Sequence, residues 1–170
     1  MPSTAIPPRA LELIKQFEGY HKALPDGGAE AYPDPIYGWK VPTIGYGTIR
    51  YPDNRPVKQG DKITAAQAEQ YLLHEVINKC QVKLQAIPTW GQMNDNQRAA
   101  LYSFAYNLGA SFYQGKNFQS ITAVCNSPQR WGDAVWVTAQ FVKYCNPGTA
   151  AEKGLKRRRA AEAALFCTPV

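Results

Sequence analysis

Residues 20–60 set this chain apart from an all-helical protein. Pro, Gly and Asp recur there, helical periodicity is lost, and β-prone pieces appear around Ala31-Tyr32 and from Thr43 to Ile49. Such a stretch predicts turns, loops and a small hairpin or three-stranded sheet. On either side the apolar residues return to helical spacing. Pro7 and Pro8 suit a first helical turn, Ala10, Leu13, Ile14 and Phe17 repeat on one face, and Gly19 is a natural stop. The expected class is therefore α+β, mainly α-helical, with a small N-terminal β-lobe at about 20–60 and a helical lobe at about 61–166. The whole chain, 1–170, is expected to form one domain, with a ligand cleft between the lobes.

The helical lobe is punctuated by capping signals. Thr64 with Gln67 forms a capping-box pattern, and Ala68, Leu72, Val76, Cys80 and Leu84 make one stripe that Pro88 ends. Asn94 with Gln97 repeats the pattern ahead of Leu101, Phe104, Ala105 and Leu108, closing at Gly109. A short helix is expected from Phe118 to Val124. Ser127-Pro128 reads as a cap before Trp131, Ala134, Val135, Thr138, Phe141 and Val142, all expected to be buried. Thr149 with Glu152 forms another cap pattern, and a last helix is expected roughly from Leu155 to Phe166. Trp90, Trp131 and Trp136 are assigned to the core.

Charge narrows the partners. The net charge of +6 favours polyanions such as nucleic acid, anionic lipid or an acidic cell wall. The basic run Lys153–Arg159 reads as a solvated helix face, with Arg158 and Glu162 paired on the surface. It lacks the interleaved aromatics of a nucleic-acid surface, so nucleic acid is not expected as partner. No apolar run approaches the ~18 residues of a membrane span, so no stable membrane insertion is expected. The N-terminus lacks a basic start followed by an apolar stretch and is read as having no signal peptide. The cysteines Cys80, Cys125, Cys145 and Cys167 show no Cys-x-x-Cys spacing, and the two histidines are far apart, so no metal is expected. Cys145 and Cys167 are the first pair to consider for a disulfide, since they flank the last helix.

The chemistry-bearing residues lie between Glu18 and Thr48. Glu18 closes the first helix, where a negative charge opposes the helix dipole by roughly 0.3–1 kcal/mol. Asp34 sits between Pro33 and Pro35, which restrict the backbone on both sides. Asp26 and Glu30 are rival acids; Asp26 reads as a turn residue on a mobile loop. Thr43 adds a hydroxyl. Two carboxyl groups on opposite faces of a bond are the requirement for acid-catalysed glycoside cleavage. Gly45 and Gly47 do not form a phosphate loop, because no Gly-Lys-Ser/Thr follows.

Four blocks in order resemble the phage-type lysozymes, glycoside hydrolase family 24, also called endolysins or muramidases. They are Phe17-Glu18-Gly19; Tyr32-Pro33-Asp34 with Thr43-Ile-Gly-Tyr-Gly-Thr48; Asn96 to Gly109; and Gly154 to Phe166. The resemblance implies a lysozyme-like fold, no cofactor, and hydrolysis of the β-1,4 bond between N-acetylmuramic acid and N-acetylglucosamine in peptidoglycan. It implies Glu18, Asp34 and Thr43 as the catalytic set, and an arginine among Arg157, Arg158 and Arg159 near Glu18. Both gaps within the catalytic set are longer here than in the family. Trp39, Tyr32 and Tyr46 are candidates for stacking on sugar rings, Tyr46 the best placed, with local packing as the alternative for each; Asn107 is a candidate for lining the cleft, with a helix C-cap as its alternative. The resemblance further implies a monomer made in the host cytoplasm and acting on the wall from the periplasm after release. A lytic transglycosylase and a non-catalytic, basic wall-binding module are the alternatives.

Overall fold

The computed structural model describes residues 5–170; residues 1–4, the start of the segment read for a leader, lie outside the described residues. The contacts divide the chain into two units, one formed by Lys15–Val76 and the other by the rest. Helix α1 (Pro8–Glu18) contributes residues to both.

The Lys15–Val76 unit holds all four named strands and helix α2 (Ala65–Val76). β1 (Ala29–Glu30) pairs antiparallel with β4 (Lys62–Ile63), and β2 (Tyr32–Asp34) pairs antiparallel with β3 (Gly38–Thr43). These are two separate two-stranded sheets, so the hairpin forms and a three-stranded sheet does not. Proline explains the short ladder. Pro33 stands opposite Pro42, neither offers an N–H, and the register shifts between Pro33 and Asp34. The strand expected from Thr43 to Ile49 stops at Thr43. Beyond it the chain turns back, with Ile44 and Thr48 exchanging two backbone hydrogen bonds of 2.9 Å.

Ala29, Ala31, Ile44, Val57, Ile63 and Ala68 form the core of this unit, and Tyr20, Tyr46, Tyr51 and Tyr71 pack against it. Small residues let the backbones approach closely. A Cβ on Gly28 would lie 2.5 Å from the Ile63 carbonyl oxygen. The capping box of α2 forms as its sequence predicts: Gln67 N donates to Thr64 Oγ1, and Thr64 N donates to Gln67 Oε1.

The other unit resumes with a π-helical turn, Ile77–Gln81, and α3 (Val82–Gln85). Ala68, Leu72, Val76, Cys80 and Leu84 are all buried as the stripe predicts, but the change of helical pitch leaves no signal in that pattern. α4 (Asp95–Leu108) starts at a complete Asn94–Gln97 capping box and is buried from Asn96 to Ala105. α5 (Gln119–Cys125), α6 (Ala134–Phe141) and α7 (Glu152–Phe166) follow. Phe104 anchors the aromatic core, its ring 5.0 Å from Phe112, 5.3 Å from Tyr144 and 5.8 Å from Phe141.

Several expectations fail here for local reasons. Asp133, not Ser127, caps α6. That later start turns Ala134 and Val135 outward, leaves Thr138 and Val142 half-buried, and buries Val137 and Phe141. Trp136 is half-buried beneath the Arg130 guanidinium, 3.9 Å from its ring centre. Thr149 does not cap α7; its hydroxyl donates to the Asn146 carbonyl instead. The basic run is not wholly a solvated face: Arg157 is exposed, whereas Arg158 and Arg159 are buried with Glu162. The expected surface pair Arg158–Glu162 is thus an interior one, at 3.4 Å. The four cysteines are free thiols, so the Cys145–Cys167 bridge is absent.

Candidate active site

Glu18, Asp34, Thr43, Tyr32 and Tyr46 all belong to the Lys15–Val76 unit. Glu18 is the last residue of α1, and Gly19 ends the helix in the left-handed region at φ 76°. The turn after β3 runs beside the Glu18 carboxyl: a Cβ on Gly47, itself at φ 95°, would come within 3.9 Å of Glu18 Oε2. The space beside the acid would admit a Cβ; it is the left-handed backbone at Gly47 that calls for glycine.

Asp34 ends β2. Its Oδ1 accepts from the backbone N–H of Ile36, at 2.8 Å, and of Tyr37, at 2.9 Å. These two bonds fix the carboxylate direction and occupy one oxygen. The rivals have other work. Asp26 Oδ1 accepts from Gly28 N at 2.8 Å and closes its own turn. Glu30 pairs with Lys22 at 3.2 Å. The loop carrying Asp26 is also tied down rather than loose, since Tyr20 Oη donates to the Gly27 carbonyl and Leu24 N to the Gly28 carbonyl.

Tyr32 and Thr43 face each other across the β2–β3 ladder. Thr43 is buried, at 5% exposure, and its hydroxyl donates to the Val41 carbonyl at 3.1 Å. Its proton is thereby engaged, and its oxygen is left as an acceptor. The half-buried Tyr32 phenol is held above its ordinary pKa, first by burial and then by the negative charges of Glu18 and Asp34. One side chain thus senses both carboxylates. The His21 ring lies 5.1 Å from that of Tyr32. Tyr46 stacks at a tilt on Tyr20, 4.8 Å between ring centres, with Lys15 Nζ 5.5 Å from its own centre. Tyr46 is thus part of the packing of this unit, and Trp39 is the more exposed ring.

Asn107 lies in the last turn of α4, in the other unit. It is not the C-cap, a place taken by Gly109. Its Oδ1 accepts from Arg159 Nη2 at 2.9 Å. Sequence reasoning missed this partnership, because a helical run of three arginines carries no mark of which ones turn inward.

Among the described residues no group of three or more His, Cys, Asp or Glu is arranged to hold a metal ion, and no helix is long and apolar enough to cross a membrane. Open grooves do occur in the helical unit, one of about 610 Å³ along Gln114, Lys116, Gln119 and Asn126, but it contains none of the carboxyl groups above.

Known proteins supply the context for this geometry. The phage lysozyme family model matches residues 15–162. The endolysin of Lactococcus phage c2 is 33% identical over 160 residues, covering 94% of this chain; the chain spans 59% of that relative's length. Among solved structures, an endolysin from the Escherichia coli O157:H7 phage FAHEc1 is 33% identical, with a TM-score of 0.67 over 95% of this chain and 92% of that one. A mutant of P22 lysozyme, 24% identical, shares the fold with a TM-score of 0.69 over 96% of this chain and 98% of that one. The fold is lysozyme-like, and the matched segment takes in Glu18, the hairpin, α4 and most of α7. On that match the chain belongs to the phage lysozyme family.

Proposed function

We propose that this chain is a muramidase that hydrolyses the β-1,4 bond between N-acetylmuramic acid and N-acetylglucosamine in peptidoglycan. Its 170 residues act as one catalytic domain and as a monomer, in the manner of an endolysin made in the cytoplasm and acting on the wall after release. The family match supports the substrate class. The observation that carries the chemistry is the seating of the two acids in one unit, Glu18 beside the Gly47 turn and Asp34 with Oδ1 fixed by the N–H groups of Ile36 and Tyr37.

In this mechanism Glu18 is the general acid. It gives its proton to the glycosidic oxygen as the bond to the anomeric carbon breaks, leaving oxocarbenium-like charge on the sugar. Asp34, with Oδ1 fixed by two backbone N–H groups, faces that charge and positions the attacking water. Thr43 accepts a hydrogen bond from the same water, since its own proton is engaged by the Val41 carbonyl. Water adds at the anomeric carbon, its proton leaves to a carboxylate, and both products depart with free hydroxyls. The anomeric form of the first product reports inversion or retention, which carboxylate separation governs. The net charge of +6 favours an anionic wall.

Incubation of purified peptidoglycan with the protein tests this reading. New reducing ends are expected, together with their loss in a folded Glu18→Gln variant. A folded wild-type protein that generates none contradicts it.

A further inference from the structure

The two stretches by which this chain exceeds the family's spacing meet each other. Lys22 comes from the gap between Glu18 and Asp34, and Trp39 from the gap between Asp34 and Thr43. Lys22 Nζ lies over the Trp39 ring, 6.0 Å from its centre. Both residues belong to the Lys15–Val76 unit. Lys22 adopts φ 54°, a left-handed backbone uncommon outside glycine, and its neighbours hold it there. Its carbonyl accepts from Glu30 N at 3.1 Å, and its Nζ pairs with Glu30 Oε2 at 3.2 Å.

The hairpin carries Trp39 on a bulge. Pro33 stands opposite Pro42 but Asp34 opposite Gly38, so Trp39, Lys40 and Val41 bulge out between the two pairs. A bulge re-aims the side chains it carries. Trp39 remains 39% exposed with Lys22 over one face of its ring. Tyr37, at 63%, and Ile36, at 83%, complete the exposed tip. The proposed reaction uses none of these three side chains. The tip is nevertheless tied to the site, because the N–H groups of Ile36 and Tyr37 hold Asp34 Oδ1. A sugar that Asp34 faces therefore has the tip as its neighbour.

We propose that Trp39 is a stacking platform for a further sugar of the glycan, an outer subsite built from the two lengthened gaps and separate from the residues that act on the bond. This inference rests on the muramidase reading. The C–H groups on a pyranose face carry slight positive charge and the face of an indole is negative, so the two attract when stacked. A lipid surface is the other partner that exposed Ile, Tyr and Trp fit. Against it, Lys22 and Lys40 are offset by Glu30 and Asp34, so the tip has no surplus of positive charge for an anionic bilayer.

Calorimetry with the disaccharide and the hexasaccharide of N-acetylglucosamine tests the platform in wild type, Trp39→Ala and Trp39→Phe. Melting temperatures and steady-state kinetics on purified wall accompany it. The wild type is expected to bind the hexasaccharide more tightly. Trp39→Ala is expected to bind it about fivefold more weakly, the scale of one aromatic contact, and to raise KM more than it lowers kcat. Trp39→Phe, which keeps a ring face, should recover most of the affinity. Unchanged hexasaccharide affinity in Trp39→Ala, or an equal loss on both oligomers, overturns the proposal. If Trp39→Ala does not fold, NMR of the wild type decides. The Trp39 indole N–H, assigned by its disappearance in Trp39→Phe, must shift on saturation with the hexasaccharide, and its invariance overturns the platform. Binding to phosphatidylglycerol vesicles that Trp39→Ala abolishes, with glycan affinity intact, gives the tip to lipid and also overturns it. Wild-type protein that binds the hexasaccharide but releases no reducing ends from wall counts against the muramidase reading; release that Trp39→Ala leaves unchanged in KM counts against the platform alone.

Discussion

Tyr32 and Thr43 stand opposite each other in the β2–β3 ladder, one the ring that senses Glu18 and Asp34, the other a buried hydroxyl bound to the Val41 carbonyl. One rung of a short hairpin thus ties the candidate acids to the candidate water site. Thr43→Val keeps the β-branched shape but removes the acceptor oxygen. Turnover on purified wall is expected to fall by about 10²-fold, the usual cost of misplacing a reactant. Thr43→Ser is expected to retain most of it.

The choice of second carboxylate is tested by comparing three folded variants. Asp34→Asn is expected to cost about 10²–10⁴-fold in rate. Asp26→Asn and Glu30→Gln are expected to stay within a few-fold of wild type, because those groups serve a turn and a Lys22 pair. A larger loss at either position moves the role there.

The charged interior of the helical unit makes a stability prediction. Glu162→Gln leaves two buried guanidinium groups without their carboxylate. Urea unfolding is expected to show a loss of about 3–5 kcal/mol, the usual cost of breaking a buried pair on one side. A loss below about 1 kcal/mol would mean that Ser103 and solvent already carry most of the compensation.

Alkaline pH should weaken the fold. Burial pushes the Cys80 thiol up to about 11, the Cys125 thiol to about 12 and the Tyr102 phenol to about 12. The unfolded chain loses these protons first, from near pH 9 for the thiols. The native state then holds more protons, and stability falls as pH rises. Denaturation midpoints are expected to be level on this account up to about pH 8 and to decline from pH 9 to 12. Four thiols should titrate in the unfolded protein without reductant, while in the native state Cys167 reacts ahead of the buried Cys80, Cys125 and Cys145.

Much of the fold is legible in local chemistry. The caps at Thr64 and Asn94, the α2 stripe and the glycine stops at Gly19 and Gly109 depend on neighbours a few residues away, and they form as the sequence predicts. What escapes the sequence depends on distant partners. Arg158 and Arg159 look like surface charges until Glu162, Ser103 and Asn107 surround them. Val135 looks like core until Asp133 sets the phase of α6. At the candidate site, motif order names Glu18, Asp34 and Thr43. The sequence does not reveal that the 44–48 turn lies beside the Glu18 carboxyl, or that Tyr46 is committed to packing on Tyr20.

The central claim is hydrolysis of the muramic acid–glucosamine bond by water, and mass spectrometry of the soluble products from purified peptidoglycan tests it most directly. Disaccharide-peptides ending in reducing N-acetylmuramic acid, with the mass of one added water per cleavage, are the predicted result. Anhydro-muramic products, lacking that water, or free peptides beside intact glycan strands would contradict the account.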